Sequence, residues 1–316
     1  MTGKERILRA IRHEEADRVP LNIWLYRQDY SDIVSAKYGS VDAFFDEYGI
    51  DIYTVFAPPP WDGIDRRLFT LDEALSLKLP DPTRDSMYDG VRAAVEEYGN
   101  KRKMAVFCQI GAVFETSNGF VGIENNLANM ACEPAKTADL YRKVSDWFQA
   151  QAQMVIDCGV DVVHISDDWG ENGRMMFSPK LWWDLIFPYD KAIVDVGKRA
   201  GVPVSLHSCG YIMDVVDGCV EMGLDVLNPI QISAGMDPYK VKRDYGDKLC
   251  LYGALDVRYL PRWNEEEIDA EVKRLMDGLK NGGGFIFCSA HTVNPDCPIE
   301  NVELAYRKAL EYGRYS

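Results

Sequence analysis

The chain of 316 residues is short of histidine, with four, and short of positive charge, with 35 Lys and Arg against 50 Asp and Glu. A formal charge of −15 leaves no clustered basic face of the kind a phosphate backbone requires, and it opposes adhesion to an anionic membrane. No apolar run reaches the ~18 residues that a membrane-spanning helix needs. Internal repeats and low-complexity tracts are also missing. The glycines form no phosphate-cradling turn after a strand, and the run Gly282-Gly283-Gly284 precedes a strand-like segment instead, so it reads as a helix terminator. The eight cysteines, at 108, 132, 158, 209, 219, 250, 288 and 297, lack a compact disulfide spacing. The N-terminal stretch Lys4-Glu5-Arg6 is charged, unlike an apolar signal segment. Reduced thiols in a cytoplasmic protein are therefore expected.

What is present is a hydrophobic content of 47%, enough for a large core, and a recurring alternation. Short runs rich in β-branched and aromatic residues fall at 21–26, 51–57, 104–109, 161–166, 202–207, 225–230, 249–254 and 284–288. Each interval can hold a helix. The plainest helices are 147–158, then 179–200 opened by Ser178-Pro179, and 265–281, capped by Asn264. Strands alternating with helices imply a parallel sheet, and eight such units suggest that it closes. The expected fold is α/β, a single (β/α)8 TIM barrel spanning 1–316. An N-terminal helical extension over residues 1–20 and a loop-plus-helix cover over 58–103 complete it.

In such a barrel the chemistry lies at the C-terminal ends of the strands. There the sequence offers Arg27, Trp61 beyond Pro58-Pro59-Pro60, Gln109, Asp167-Asp168-Trp169, His207-Ser208-Cys209, Asp256 with Arg258, and Cys288 with His291. Alternate residues at a strand end point the same way, so His207 and Cys209 can grip one ion. Cys288 or His291 could add a ligand. Asp168 is the better placed of the two adjacent acids, which must point apart, and serves as the catalytic or supporting carboxylate. Zinc suits this mixed set of nitrogen, sulfur and oxygen donors. Trp24, Tyr26, Trp61 and Trp169 would ring the mouth, with Arg27 as an anion clamp. The alternative is that Cys209 and His207 merely pack, the acids cap helices, and the aromatic residues fill the lid.

Five further motifs stand out: Lys4-Glu5-Arg6-Ile7-Leu8-Arg9-Ala10-Ile11, His13-Glu14-Glu15-Ala16-Asp17-Arg18-Val19-Pro20, Phe177-Ser178-Pro179, Phe187-Pro188-Tyr189 and Pro295-Asp296-Cys297-Pro298-Ile299-Glu300-Asn301. With them the whole chain resembles the uroporphyrinogen decarboxylase superfamily, which includes corrinoid-dependent methyltransferases. The resemblance independently implies a (β/α)8 barrel. Decarboxylases of this kind carry an Arg-Gln-Ala-Gly-Arg run. Here Arg27-Gln28 is followed by Asp29, and the second arginine is missing. The methyltransferase branch carries a zinc-binding His-x-Cys, matched by His207-Ser208-Cys209, and a later cysteine. His291 stands at the position of that cysteine, with Cys288 three residues earlier; His291 also matches a decarboxylase histidine.

The resemblance implies a zinc-dependent methyltransferase that exchanges a methyl group with a corrinoid (cobalamin). That corrinoid would be carried by a separate protein, because the carrier motif Asp-x-His-x-x-Gly does not occur in this chain. The other partner would be a small methyl donor or acceptor, such as a methoxylated aromatic or a thiol. A homodimer is compatible with this reading. A decarboxylase using Arg27 and either Asp168 or His291 is the second expectation, and a non-catalytic binding barrel the third.

Overall fold

The computed structural model describes residues 1–25, 27–65 and 67–315. Tyr26, expected at the mouth, lies outside the described residues. Two compact units interleave along the chain. The first gathers Met1–Ile52, Lys103–Ala105 and Val226–Ser316; the second gathers Tyr53–Arg102 and Val106–Asp225.

Seven strands occur in the sheet, in chain order: β1 Ile52–Phe56, β2 Ala105–Gly111, β3 Val162–Ser166, β4 Val204–His207, β5 Val226–Asn228, β6 Cys250–Leu255 and β7 Phe285–Ser289. In the second unit β2, β3 and β4 pair in parallel; in the first, β5, β6 and β7 do the same. All five residues of β3 are buried. A parallel strand covered on both faces is ordinarily an unbroken apolar run, and β3 departs from that at His164 and Ser166. An aspartate just ahead of a strand recurs as a latch. Asp161 accepts from the Val106 N–H at 2.9 Å and Asp225 from the Val204 N–H at 2.8 Å, each tying one strand start to the preceding strand. Asp51 accepts from the Leu21 N–H at 2.9 Å and pairs with Arg6 and Arg18 at 2.9 and 2.7 Å.

The strand expected over 21–26 is reduced to a single parallel bridge between Leu21 and Phe287. Pro20 contributes only a carbonyl, to the Phe287 N–H at 3.0 Å, and the Asn22 N–H returns to the Phe287 carbonyl at 2.9 Å. Two residues on, the Trp24 N–H is taken by the Ser289 hydroxyl at 3.0 Å. A side chain there replaces the backbone partner that would have continued the ladder.

Helices form where the sequence signals them, with informative departures. Asn264 closes a capping box on Glu265–Leu279, and Thr2 caps Gly3–Ile11 in the same way, so only about half of residues 1–20 is helical. The stretch expected as one helix over 179–200 is helical at Pro179–Leu181 and Phe187–Ala200, with a widened π turn at Trp182–Ile186 between them. Pro188 lacks an N–H and would collide with the carbonyl four residues back, which explains the widened turn before it. Within 58–103 the helical pieces are Leu71–Ser76, a 3-10 turn at Asp85–Tyr88, Asp89–Ala94 and a π turn at Val95–Lys101. Among the described residues no helix is long and apolar enough to cross a membrane.

Candidate functional site

Residues opposite one another in a parallel register point to the same face, and every second residue repeats it. On β2, β3 and β4 the register aligns Gln109 with His164 and His164 with Ser205. Two residues on, it aligns Gly111 with Ser166 and Ser166 with His207. Two successive rows are thus polar where an ordinary core would place Val, Ile or Leu. Buried polar groups cost stability unless they are satisfied, and the lower row is partly so: His164 Nδ1 and Ser205 Oγ lie 2.9 Å apart. Burial drives His164 well below the ordinary imidazole range, and His207 beside it adds to the shift, so His164 is neutral. The two rings meet edge to face with centroids 6.0 Å apart.

The upper row continues into the site. Asp168, His207 and Cys209 each offer a ligand atom, and those atoms lie within 4.8 Å of one another. His207 Nε2 is 3.3 Å from Cys209 Sγ and 3.7 Å from Asp168 Oδ1, and the Cys209 N–H donates to Asp168 Oδ1 at 2.7 Å. Two glycines let the loops after β3 and β4 cross this closely. A Cβ on Gly210, whose φ is +85°, would lie 2.3 Å from the Gly170 backbone; one on Gly170 would lie 2.5 Å from the Tyr211 nitrogen. Burial pushes the Cys209 thiol well above its usual value, and Asp168 and Glu115 push it further. Left alone, the thiol keeps its proton. A divalent cation among these groups reverses the balance, since it offsets both carboxylates and takes a thiolate as ligand. The donor set therefore fits a metal ion.

The adjacent aspartates do point apart. Asp167 is fully buried and caps the helix Val113–Val121, accepting from the Phe114 N–H at 3.1 Å, the Glu115 N–H at 2.6 Å and the Trp169 indole N–H at 2.8 Å. Asp168 alone turns to His207 and Cys209. Trp169, expected as part of a substrate wall, is fully buried and packs edge-on against Trp182 with centroids 5.3 Å apart.

Sequence reading missed Glu115. It accepts from the Ser166 hydroxyl at 3.0 Å, and burial, then Asp168 and Asp167, raise its carboxyl to about 7. In the sequence it is an acid in the first turn of a helix, where acids are common for dipole reasons alone. Only the register, which brings Ser166 beside His207, reveals it as part of the site. Glu115 also lines a cavity of about 170 Å³ whose walls include Phe56, Trp61, Gln109, Phe148 and Gln151. Trp61 and Gln109 thus line the same cavity.

The remaining candidates belong to the first unit. Trp24 is buried and stacks near Tyr252, centroids 6.2 Å apart. Arg27 pairs with Asp29 at 2.7 Å, with both side chains about half exposed. Cys288 is fully buried, and that burial raises its thiol. His291 is exposed and lines a cavity of about 230 Å³ with Asp256 and Arg258.

Parallel strands that collect acid, imidazole and thiol at their C-terminal ends define an α/β protein with a strand-end site. The model of the uroporphyrinogen decarboxylase (URO-D) family matches residues 61–312, and the chain belongs to that family. It is 26% identical over 182 residues to a uroporphyrinogen decarboxylase from Pseudoalteromonas atlantica, covering 55% of this chain and 48% of that protein. It is 29% identical over 181 residues to another from Pelodictyon phaeoclathratiforme, covering 54% and 48%. The chain thus spans about half the length of these curated relatives. Among solved structures, a methyltransferase from Methanosarcina mazei shares the fold, with a TM-score of 0.74 at 16% identity over 99% of both chains.

Proposed function

We propose that this chain is a zinc-dependent methyltransferase, moving a methyl group between a small methylated substrate or thiol and a corrinoid held by a separate carrier protein. The observation that carries the proposal is the Asp168–His207–Cys209 cluster, three donor atoms of different chemistry converging on one point. Imidazole, thiolate and carboxylate are a set that zinc accepts, and three protein ligands leave a position for substrate. Zinc held there would polarise the heteroatom that carries the methyl group, or lower the pKa of an acceptor thiol. The chain's own part is to orient and to hold protons. Asp168 fixes the Cys209 backbone through the 2.7 Å N–H contact, and Glu115 carries a proton near neutrality beside the site. The fold shared with a methyltransferase is consistent with this reading.

Trp169 is fully buried and Arg27 is already paired with Asp29, whereas Cys288 as a further ligand, His291 as a catalytic group, and Trp24 and Tyr26 as substrate contacts remain part of the proposal as residue roles. So do closure of the sheet into a single (β/α)8 barrel domain, a cytoplasmic location and a homodimer. The curated relatives are named decarboxylases, but the arginine that would clamp an acidic substrate is already paired with Asp29, which favours the methyltransferase. The deciding experiment follows cobalt absorption when a reduced corrinoid or its carrier is mixed with the zinc-loaded chain and methylated donors. We expect a methyl–cobalt spectrum only with enzyme and zinc present. Carbon dioxide release from an acidic substrate without any cobalt change contradicts the proposal.

A further inference from the structure

Past the C-terminal ends of β5, β6 and β7, in the first unit, lies a cavity of about 230 Å³ that contains none of the metal cluster's residues. Asp256, Val257 and Ala290 line it from buried positions, and Arg258, His291 and Asn294 from exposed ones. Asp256 is only 3% exposed. Its Oδ1 accepts from the Arg258 N–H at 2.8 Å, which orients the carboxyl. Oδ2 is buried without a hydrogen-bond partner among the described residues. An unpaired buried carboxylate oxygen is costly, so a strong donor belongs there. A metal ion is a poor occupant, because among the described residues only Asp168, His207 and Cys209 form a group of three such ligands close enough to share an ion. An ammonium is a better one, since ionised donors bond a carboxylate about twice as strongly as neutral donors. No Phe, Tyr or Trp lines the cavity. A quaternary ammonium would thus find no aromatic face, and a primary ammonium, with N–H donors, is the match. Arg258 brings the opposite charge, and the hydroxyl of Ser233 and the amide of Gln231 can donate as well as accept. A ligand carboxylate on that side is stabilised as long as its ammonium faces Asp256.

We infer that this cavity is a binding site for a small zwitterion, an α-amino acid with a short side chain, whose ammonium goes to Asp256 and whose carboxylate goes to Arg258 and Ser233. A cavity of about 150 Å³ in another protein takes up benzene, so one of about 230 Å³ holds roughly eight or nine non-hydrogen atoms, the size of threonine. Val257 and Ala290 offer the small apolar surface that a side-chain methyl group covers. Neither zinc nor methyl transfer is needed for this binding.

The test is isothermal titration calorimetry near neutral pH on the full chain, zinc-stripped and zinc-loaded, with four probes: L-threonine, N-acetyl-L-threonine, L-threonine methyl ester and glycerol. We expect L-threonine to bind equally in both states, and the two blocked forms and the neutral polyol to bind at least about tenfold more weakly. Asp256→Asn keeps the shape and the Oδ1 acceptor but removes the charge, and should weaken L-threonine by at least about tenfold in protein shown to be folded by circular dichroism. The probe panel on the unsubstituted chain decides the matter whether or not that variant folds. Absence of L-threonine binding, equal binding of a blocked form or of glycerol, affinity that vanishes with zinc, or unchanged affinity in folded Asp256→Asn overturns the inference. No corrinoid, methyl donor or turnover enters, so a failure here leaves methyl transfer standing. A failure of methyl transfer likewise leaves this binding result standing.

Discussion

Two regions offered candidate site residues in the sequence, and they ended in opposite electrostatic states. At the ends of β3 and β4, titratable groups crowd together while only half-buried: Asp168, His207 and Cys209 converge, and Glu115 sits beside them with its carboxyl raised to about 7. In the segment holding Trp24 and Arg27, the charge is exposed and already paired with Asp29 at 2.7 Å. The first arrangement is unfavourable for a bare protein, since it crowds carboxylates and a thiol together with only part of their hydration left. The second is close to neutral. Stability spent on an unfavourable cluster points to a function, whereas a comfortable surface pair needs none.

The largest effect that would break this comparison comes from Glu115→Gln. A glutamate in the unfolded chain titrates near 4.5, whereas in the fold it holds its proton to about 7. Between those values the folded chain binds more protons, so stability falls as pH rises through that window. The charged carboxylate then costs at most about 1–2 kcal/mol above it, since Glu115 is partly exposed and screened by solvent. Urea unfolding of metal-free protein at pH 5 and pH 8 should show the variant losing less stability on that rise than the unsubstituted chain. Identical pH dependence in the two would mean that the carboxyl is not held neutral. At the small end, Arg27→Ala should change stability by less than about 1 kcal/mol and leave zinc content and methyl transfer unaltered. Collapse of turnover on an acidic substrate in that variant would restore the clamp, and with it the decarboxylase.

The frame of the fold was legible because parallel strands write themselves as short runs rich in β-branched and aromatic residues. Seven of the eight expected runs became strands, and the His207-Ser208-Cys209 spacing named two of the three clustered donors before any coordinates. Strand geometry implies that Asp167 and Asp168 point apart, and the position of Asp168 deeper in the loop favoured it. What could not be read was whatever depends on lateral neighbours. The 21–26 run has strand composition, yet its ladder stops where the Ser289 hydroxyl takes the Trp24 N–H. Trp169 looked like a mouth aromatic and is instead packed on Trp182, its indole N–H spent on Asp167. Glu115 was invisible for the same reason. Its meaning comes from Ser166 beside His207, a register that no local pattern encodes.

The central claim, that Asp168, His207 and Cys209 hold a metal ion, is tested most directly by zinc content with X-ray absorption at the zinc edge. Purified chain should carry about one zinc, with a sulfur at about 2.3 Å and nitrogen or oxygen ligands at about 2.0–2.1 Å. The His207→Ala, Cys209→Ala double variant, shown to be folded by circular dichroism, should carry essentially none. Zinc that stays at full occupancy in that variant, or a chain that takes up no zinc when it is supplied, contradicts the account.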